Sequence, residues 1–383
     1  MHPFDFELKT RIVSGSDSIQ RVGELAAELG IKRALIVTDT GIIAAGHVAI
    51  ALEALNKQNI ETAVFDGAHE NPTTRDVDAG LEVANSFKPD LLIGLGGGSS
   101  MDCAKGVNFV YSCGGSMKDY WGVGKATQPM LPMIAIPTTA GTGSELQSFA
   151  LISDAETHVK MACGDKKASC RIAILDPKLT LTQPEFVTAL TGIDAISHAV
   201  ETWVTKRRNP ISLLYSREAW KLLAANFNTV LQQPDNLDAR AAMQLGAAYS
   251  GLAIENSMLG ASHALANPLT ATYDTAHGQA VGLMLPHVVR FNGEQYDSWY
   301  QELLASTENL AEMPAATSGS GGLADFLTSL VENAKLETRL AGCEVEKEKL
   351  SELAEAASKQ WTGTFNPRPV DPENLQAIYE SAF

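Results

Sequence analysis

The sequence predicts an α/β domain, built on a doubly wound parallel sheet, followed by an all-helical domain. In the first half, short apolar runs alternate with helical patterns, and after Pro177 the strand signals stop. The length of 383 residues suits two domains at roughly 150 residues each. We place the boundary after residue 181, which gives an α/β domain at 1–181 and a helical domain at 182–383.

Five apolar runs predict the strands of the first domain. Each is rich in β-branched or aliphatic residues, and most end in polar or turn residues. They are Arg33–Asp39, Glu61–Phe65, Asp90–Leu95, Met133–Pro137 and Arg171–Asp176. Strands that are apolar on both faces are typical of a parallel sheet covered by helices on both sides.

Helical patterns lie between these runs and fill the second half. In the first domain they are Ser18–Leu29, Ala45–Asn56, Thr74–Phe87 and Ser99–Tyr111. In the second domain, the predicted helices include Ile211–Phe227, Leu237–Ile254 and the charged, amphipathic Glu344–Lys359.

The composition excludes several classes of partner. Lys and Arg number 29 and Asp and Glu 45, a net charge of −16, so we expect neither nucleic acid nor an anionic membrane as a partner. No run reaches the roughly 18 apolar residues of a membrane span, and Met1–Arg11 lacks the apolar core of a signal peptide. The five cysteines are an odd number without close CxxC pairs, which indicates free thiols and a cytoplasmic location.

A glycine-rich run, Gly94–Asp102, directly follows a predicted strand and begins a predicted helix. Bare backbone amides and a helix N-terminus favour an anion such as a phosphate. A tight strand-to-helix turn would use the same glycines, so the run alone does not decide between the two. It lacks the Lys-Ser/Thr pair of a Walker loop, which argues against a kinase or an ATPase.

Two further elements favour a dinucleotide. Pro137–Glu145 is a second loop of small and hydroxyl residues after another strand, although such loops are often only turns. Asp39 ends the first strand, where a carboxylate can accept hydrogen bonds from a ribose diol or cap a turn.

The second half contains four residues of metal-ligand type. Asp194 and His198 are four residues apart and share one helix face, about 6 Å apart along the axis. His263 and His277 follow in small-residue surroundings. Three imidazoles and one carboxylate suit Fe(II), Zn(II), Co(II) or Ni(II). A histidine within a helix is more often a core or surface residue, so the spacing alone leaves both interpretations open.

Taken together and in order, these motifs make the chain resemble the iron-containing (group III) alcohol dehydrogenase family, whose superfamily includes dehydroquinate synthase. The motifs are Val37–Gly41, Gly96–Asp102, Ile136–Glu145, Gly192–His198, His263, His277–Asn292 and Asn366–Arg368. The resemblance runs nearly from end to end.

The resemblance implies an α/β dinucleotide-binding domain and an all-helical, metal-binding domain with a cleft between them. It implies four metal ligands, Asp194, His198, His263 and His277. It also implies NAD contacts at Asp39, Asn71, Gly97, Gly98, Ser99, Asp102, Thr138, Thr139, Thr142, Phe149, Lys160 and Leu179. Fe²⁺ is the implied metal, with Zn²⁺ as an alternative, and members often form homodimers or larger homo-oligomers.

One departure from the family pattern bears directly on catalysis. Many members have a histidine four residues after the third ligand, where it is credited with proton transfer, and this chain has Asn267. Asparagine cannot act as an acid or base near neutral pH. No residue is therefore assigned as the catalytic acid or base.

The expected activity is reversible, NAD-dependent oxidation of a small alcohol to its aldehyde or ketone. The alternatives are a hydroxyacid–oxoacid transhydrogenase, a metal-dependent lyase like dehydroquinate synthase, and a nucleotide-binding protein that has lost catalysis.

Overall fold

The computed structural model describes residues 4–307 and 318–383 and divides the chain into two compact units. An α/β unit comprises Glu7–Thr139 and Gly143–Gln183. A helical unit contains Ala140–Thr142, Pro184–Phe383 and the N-terminal residues up to Phe6.

The α/β unit contains a six-stranded and a three-stranded sheet. In chain order the strands are β1 Arg11–Ser14, β2 Arg33–Val37, β3 Glu61–Phe65, β4 Leu91–Gly96, β5 Gly122–Val123, β6 Met133–Pro137, β7 Phe149–Ser153, β8 Lys160–Gly164 and β9 Ile172–Leu175. The large sheet has the order β1-β9-β6-β4-β2-β3, and all its pairs are parallel. The small sheet has the order β5-β8-β7 and contains one antiparallel pair, β7 with β8.

Five helices accompany these strands. They are α1 Val22–Glu28, α2 Thr40–Ala44, α3 His47–Asn56, α4 Thr74–Phe87 and α5 Gly98–Cys113.

Alternation of side chains along the strands explains why this sheet is covered on both faces. Leu35 and Val37 of β2 belong to a core cluster with residues of α4 and α5, whereas Ala34 and Ile36 belong to a cluster with residues of α1 and α3. Because successive side chains in a strand point to opposite faces, an apolar run must be buried on both sides.

The strand order reverses between β2 and β4. From β2 the chain moves outward to β3, returns to β4 on the other side of β2, and then continues to β6 and β9. In open parallel sheets, ligands bind beyond the carboxyl ends of the strands at such a reversal. The segments that follow β2, β4 and β6 therefore form the candidate binding edge.

The helical unit has no strand among its described residues. Its helices are α6 Glu185–Val204, α7 Pro210–Gln232, α8 Leu237–Asn256, α9 Ala261–Tyr273, α10 His277–Ala305, α11 Gly319–Asn333, α12 Leu350–Ser358 and α13 Pro372–Ser381. One core joins α6, α7, α8, α10 and α11, and a second joins α9, α10, α12 and α13. The predicted fold class is confirmed. No helix within residues 4–307 or 318–383 has both the length and the apolarity needed to cross a membrane.

The structure corrects some element predictions. Strands β1, β5, β7 and β8 were not predicted: β5 has only two residues, and β1, β7 and β8 mix polar with apolar residues over four or five positions. The helix predicted over Glu344–Lys359 begins only at Leu350, since Lys347–Lys349 forms a separate 3₁₀ turn.

Candidate functional site

The glycine run forms the predicted strand-to-helix turn at the binding edge. Strand β4 ends at Gly96, Gly97 is the N-cap and α5 begins at Gly98. Gly96 has φ +149°, and a Cβ there would lie 2.4 Å from the Ser100 hydroxyl, so only glycine fits. The first amides of α5 have no partner within the helix and can bind an anion, as can the start of any helix.

The second predicted loop lies beside this turn. The amide of Thr138 donates to the carbonyl oxygen of Gly96, and a Cβ at Gly97 would lie 3.5 Å from the methyl group of Thr139. Gly97, Gly98, Ser99, Thr138 and Thr139 are thus neighbours on one edge. Thr142 belongs to the helical unit.

Asp39 makes two hydrogen bonds at the same edge. Its Oδ1 accepts from the backbone amide of Ile42 and caps α2, and its Oδ2 accepts from the Ser100 hydroxyl at 3.3 Å. The capping role that the sequence left open is therefore present. The second bond also places this carboxylate against the glycine turn.

The remaining predicted cofactor residues are in different environments. The ammonium group of Lys160 lies 3.4 Å from the side-chain oxygen of Asn71, so these two exposed residues are brought together. The ring of Phe149 occupies the space that a Cβ on residue 164 would need, so the glycine at this position makes room for the ring. Leu179 is buried in the core on the α1 and α3 side of the sheet. Their cofactor contacts stay predictions.

Asp102 takes part in a buried polar network that sequence reasoning missed. Its carboxylate accepts from the Ser144 hydroxyl at 2.6 Å and from the amide of Leu151 at 3.2 Å. The fully buried Lys105 donates to Ser144 and Phe149 and lies 4.0 Å from the Asp102 carboxylate. Burial raises the pKa of Asp102 above its ordinary value, opposed by Lys105. No spacing in the sequence marks this network, because its members meet only through folding.

In the helical unit, the four predicted metal ligands converge. Oδ1 of Asp194 lies 3.2 Å from Nε2 of His198, 3.6 Å from Nε2 of His263 and 3.8 Å from Nε2 of His277. The Nε2 atoms of His198 and His263 are themselves 3.2 Å apart. Ligand atoms of Asp194, His263 and His277 all lie within 4.8 Å of one another. Asp194, His198 and His263 are buried, and His277 is partly exposed.

Glu201 supports this cluster and was not predicted. Its Oε2 lies 2.6 Å from Nδ1 of His263, and its Oε1 accepts from the backbone amide of Ser262 at 2.7 Å. It follows Asp194 by seven residues and His198 by three, so all three share one face of α6. The spacing of Glu201 from Asp194 and His198 was therefore the signal in the sequence from which its place in the cluster could have been predicted.

The charged groups of the cluster determine one another's pKa values. Burial alone would raise the pKa of Asp194, but the three imidazoles lower it well below its usual value. Burial opposes ionisation of Glu201 too, but His263 and backbone amides lower its pKa. Burial would lower the pKa of His263, but Glu201 and Asp194 raise it to about 9. The negative charges of Asp194 and Glu201 therefore favour a positive partner in the cluster, which is either a proton on His263 or a cation bound in its place.

The N-termini of two helices bring His263 and His277 to α6. His263 is the third residue of α9, and His277 is the first of α10. A Cβ on Gly278 would lie 2.2 Å from the carbonyl oxygen of Leu190, so glycine lets α10 approach the backbone of α6. The side chain of Asn366 accepts from the amide of Ala261 at 3.4 Å, which ties the Asn366–Arg368 motif to the start of α9.

These residues fit a divalent cation. Oδ1 of Asp194 is buried and makes no hydrogen bond, although three ring nitrogens surround it. Two imidazole nitrogens that face each other at 3.2 Å can both offer lone pairs to a cation. One carboxylate oxygen and three imidazole nitrogens form a donor set that transition metals accept. A charge of +2 would balance Asp194 and Glu201 together.

Asn267 lies one helical turn beyond His263. Its amide nitrogen donates to the side-chain oxygen of Gln360 at 3.0 Å. Neither side chain can exchange a proton near neutral pH, so this pair cannot act as an acid or a base.

Comparison with known sequences identifies the family. Residues 9–177 match the family "Iron-containing alcohol dehydrogenase", and residues 188–383 match "Fe-containing alcohol dehydrogenase family, C-terminal". The chain belongs to the iron-containing alcohol dehydrogenase family and is an oxidoreductase of that class.

Individual relatives match over nearly the whole chain. A 1,3-propanediol dehydrogenase of Klebsiella pneumoniae is 33% identical, with 99% of each chain covered. An NAD-dependent methanol dehydrogenase of Bacillus methanolicus is 31% identical, again over 99% of each. A crystal structure of a 1,3-propanediol oxidoreductase has 32% identity and a TM-score of 0.94 over the full length of both chains. These similar proteins are thus dehydrogenases or oxidoreductases of small alcohols, 1,3-propanediol and methanol.

Gly278→Ala tests how α10 is placed. The added methyl group meets the backbone of Leu190, so we expect α10 to move away from α6, with His277, at a cost of about 1–3 kcal/mol in unfolding free energy. Chelator competition should show weaker metal binding. Gly321→Ala is the control, because a Cβ there has no atom within 4 Å. Equal metal affinity in both variants would contradict this account.

Glu201→Gln tests how His263 is oriented. The amide retains the size of the side chain but removes the charge that holds Nδ1–H, so we expect metal affinity to fall roughly 10- to 100-fold. Competition with a chelator of known affinity measures the loss, and circular dichroism checks the fold. An unchanged affinity would show that Glu201 does not act on the metal site.

Proposed function

We propose that this protein is an NAD-dependent, metal-containing alcohol dehydrogenase that reversibly oxidises small alcohols to aldehydes or ketones. The observation that carries the proposal is the convergence of Asp194, His198, His263 and His277 around one point in the helical unit. Family membership supports it.

Asp194, His198, His263 and His277 are the proposed ligands, and Fe²⁺ is the proposed metal, with Zn²⁺ as the alternative. When bound, such a cation supplies Lewis acidity that lowers the pKa of a hydroxyl group. Glu201 holds Nδ1 of His263, which leaves Nε2 directed at Asp194 and His198. The amides of Asn267 and Gln360 offer hydrogen bonds without accepting protons, so the proton of the alcohol leaves by another route: directly to solvent, through the cofactor ribose or through another relay.

The α/β unit is proposed to bind the dinucleotide, which accepts the hydride. Gly97, Gly98, Ser99, Thr138 and Thr139 lie together at the carboxyl edge of the sheet, where amides can bind the diphosphate. We assign the rest of the predicted set, Asp39, Asn71, Asp102, Thr142, Phe149, Lys160 and Leu179, to the same cofactor. The name of the Bacillus methanolicus relative supports NAD.

The roles of the two domains, the assembly and the location of the protein are proposed from its family. We propose residues 1–181 as the cofactor domain, residues 182–383 as the metal domain, a homo-oligomeric assembly and a cytoplasmic location. Release of NADH from simple alcohols and added NAD distinguishes this activity from the lyase. Turnover without added NAD would indicate the transhydrogenase.

His263→Ala tests the proposed function. The variant loses a buried ligand, so we expect metal content and alcohol oxidation to fall to background while NADH binding stays measurable. His287→Ala is the matched control, since His287 is held by Ser381 of α13. Elemental analysis measures the metal content of each variant, and an NADH-release assay with short alcohols and diols measures its alcohol oxidation. Full activity in His263→Ala would refute the ligand assignment.

Asp39→Gly tests the choice between NAD and NADP. Removing the carboxylate removes repulsion of a 2′-phosphate, so kcat/KM for NADP relative to NAD should rise roughly tenfold or more. The substitution also removes a helix cap. Asp371→Gly removes a similar cap from α13 and should leave the ratio unchanged. An unchanged ratio in Asp39→Gly would refute the assignment.

A further inference from the structure

Lys105 is a buried charge for which the proposed reaction has no direct use. It lies on α5, seven residues after the helix begins, and its side chain has no exposed surface. Its ammonium group donates at 2.7 Å to the carbonyl oxygen of Ser144, at 2.8 Å to the Ser144 hydroxyl and at 2.9 Å to the carbonyl oxygen of Phe149. Three acceptors match its three N–H groups, so it is fully satisfied.

All three acceptors come from one short segment, Ser144–Phe149. This segment follows the loop that carries Thr138 and Thr139 and ends at the start of β7. The Ser144 hydroxyl also donates to Asp102 on α5. Two residues one turn apart on α5 thus hold the same segment, one as a cation and one as a carboxylate.

Helix α5 also contacts the segment of the binding edge that follows β2. Ser100 of α5 donates to Asp39, which follows β2. Helix α5 therefore contacts the segments that follow β2 and β6, and its own first residues form the turn after β4. Charge-assisted hydrogen bonds in a buried setting are stronger than neutral ones, which makes Lys105 the strongest of these ties.

We propose that Lys105 is a positioning residue that fixes Ser144–Phe149 against α5 and so sets the affinity for the dinucleotide. This role rests on the proposed NAD binding. Lys105 has no exposed surface, so it acts through the segment it holds. A purely structural lysine would change the melting temperature alone, whereas a positioning lysine also changes the KM for NAD.

Lys105→Met tests the role, because methionine fills the space without donating hydrogen bonds. We expect the KM for NAD and the Kd for NADH to rise at least tenfold, while the KM for the alcohol and the metal content stay within twofold. Lys118→Met is the matched control: Lys118 lies in the same unit but is half-exposed and pairs with Asp154 and Glu156.

Ser144→Ala is the second variant, for the case in which Lys105→Met does not fold. It removes only the hydroxyl between Lys105 and Asp102, so we expect three- to tenfold weaker NADH binding with an intact fold. Unchanged NADH affinity in folded Lys105→Met, or in Ser144→Ala, overturns the positioning role. Absence of NADH binding by the wild-type protein overturns the proposed cofactor, and this role with it.

Discussion

Two buried carboxylates among three imidazoles are the constraint on which the helical unit depends. Asp194 faces His198, His263 and His277, and Glu201 holds the far side of His263. Burying such charges is costly unless they are paired and hydrogen-bonded. The N-termini of α9 and α10 supply the histidines, and Gly278 and Asn366 hold those N-termini in place. The helical packing thus brings these four proposed ligand side chains together at one point.

Helix α5 has the corresponding role in the α/β unit. Its N-terminus follows the glycine turn, and Ser100, Asp102 and Lys105 connect it to the segments after β2 and β6. These contacts make one surface out of three separate strand ends. A flexible edge would have to be ordered when a dinucleotide binds, and preorganisation avoids that entropic cost.

Local signals in the sequence were enough for the main architecture. Apolar runs such as Met133–Pro137 appear as predicted, because burial on both faces demands them. The spacing of Asp194 and His198 was also enough to predict that they share one face of a helix, and both residues lie on α6. Glu201 shares that face and could have been found. By contrast, nothing local connects Lys105 with Ser144. The small sheet likewise depends on pairing between separate segments, β7 with β8 and β8 with β5. Contacts between segments that are distant in the sequence leave no apolar run or residue spacing from which they could have been predicted.

The central claim is that Asp194, His198, His263 and His277 together hold one divalent cation. Anomalous diffraction from anaerobically grown crystals, recorded on both sides of the iron and zinc absorption edges, tests this most directly. The account predicts a single anomalous peak enclosed by these four side chains, and the edge that produces it identifies the metal. Crystals supplied with iron and zinc that show no peak there, with the four side chains pointing apart, would contradict it.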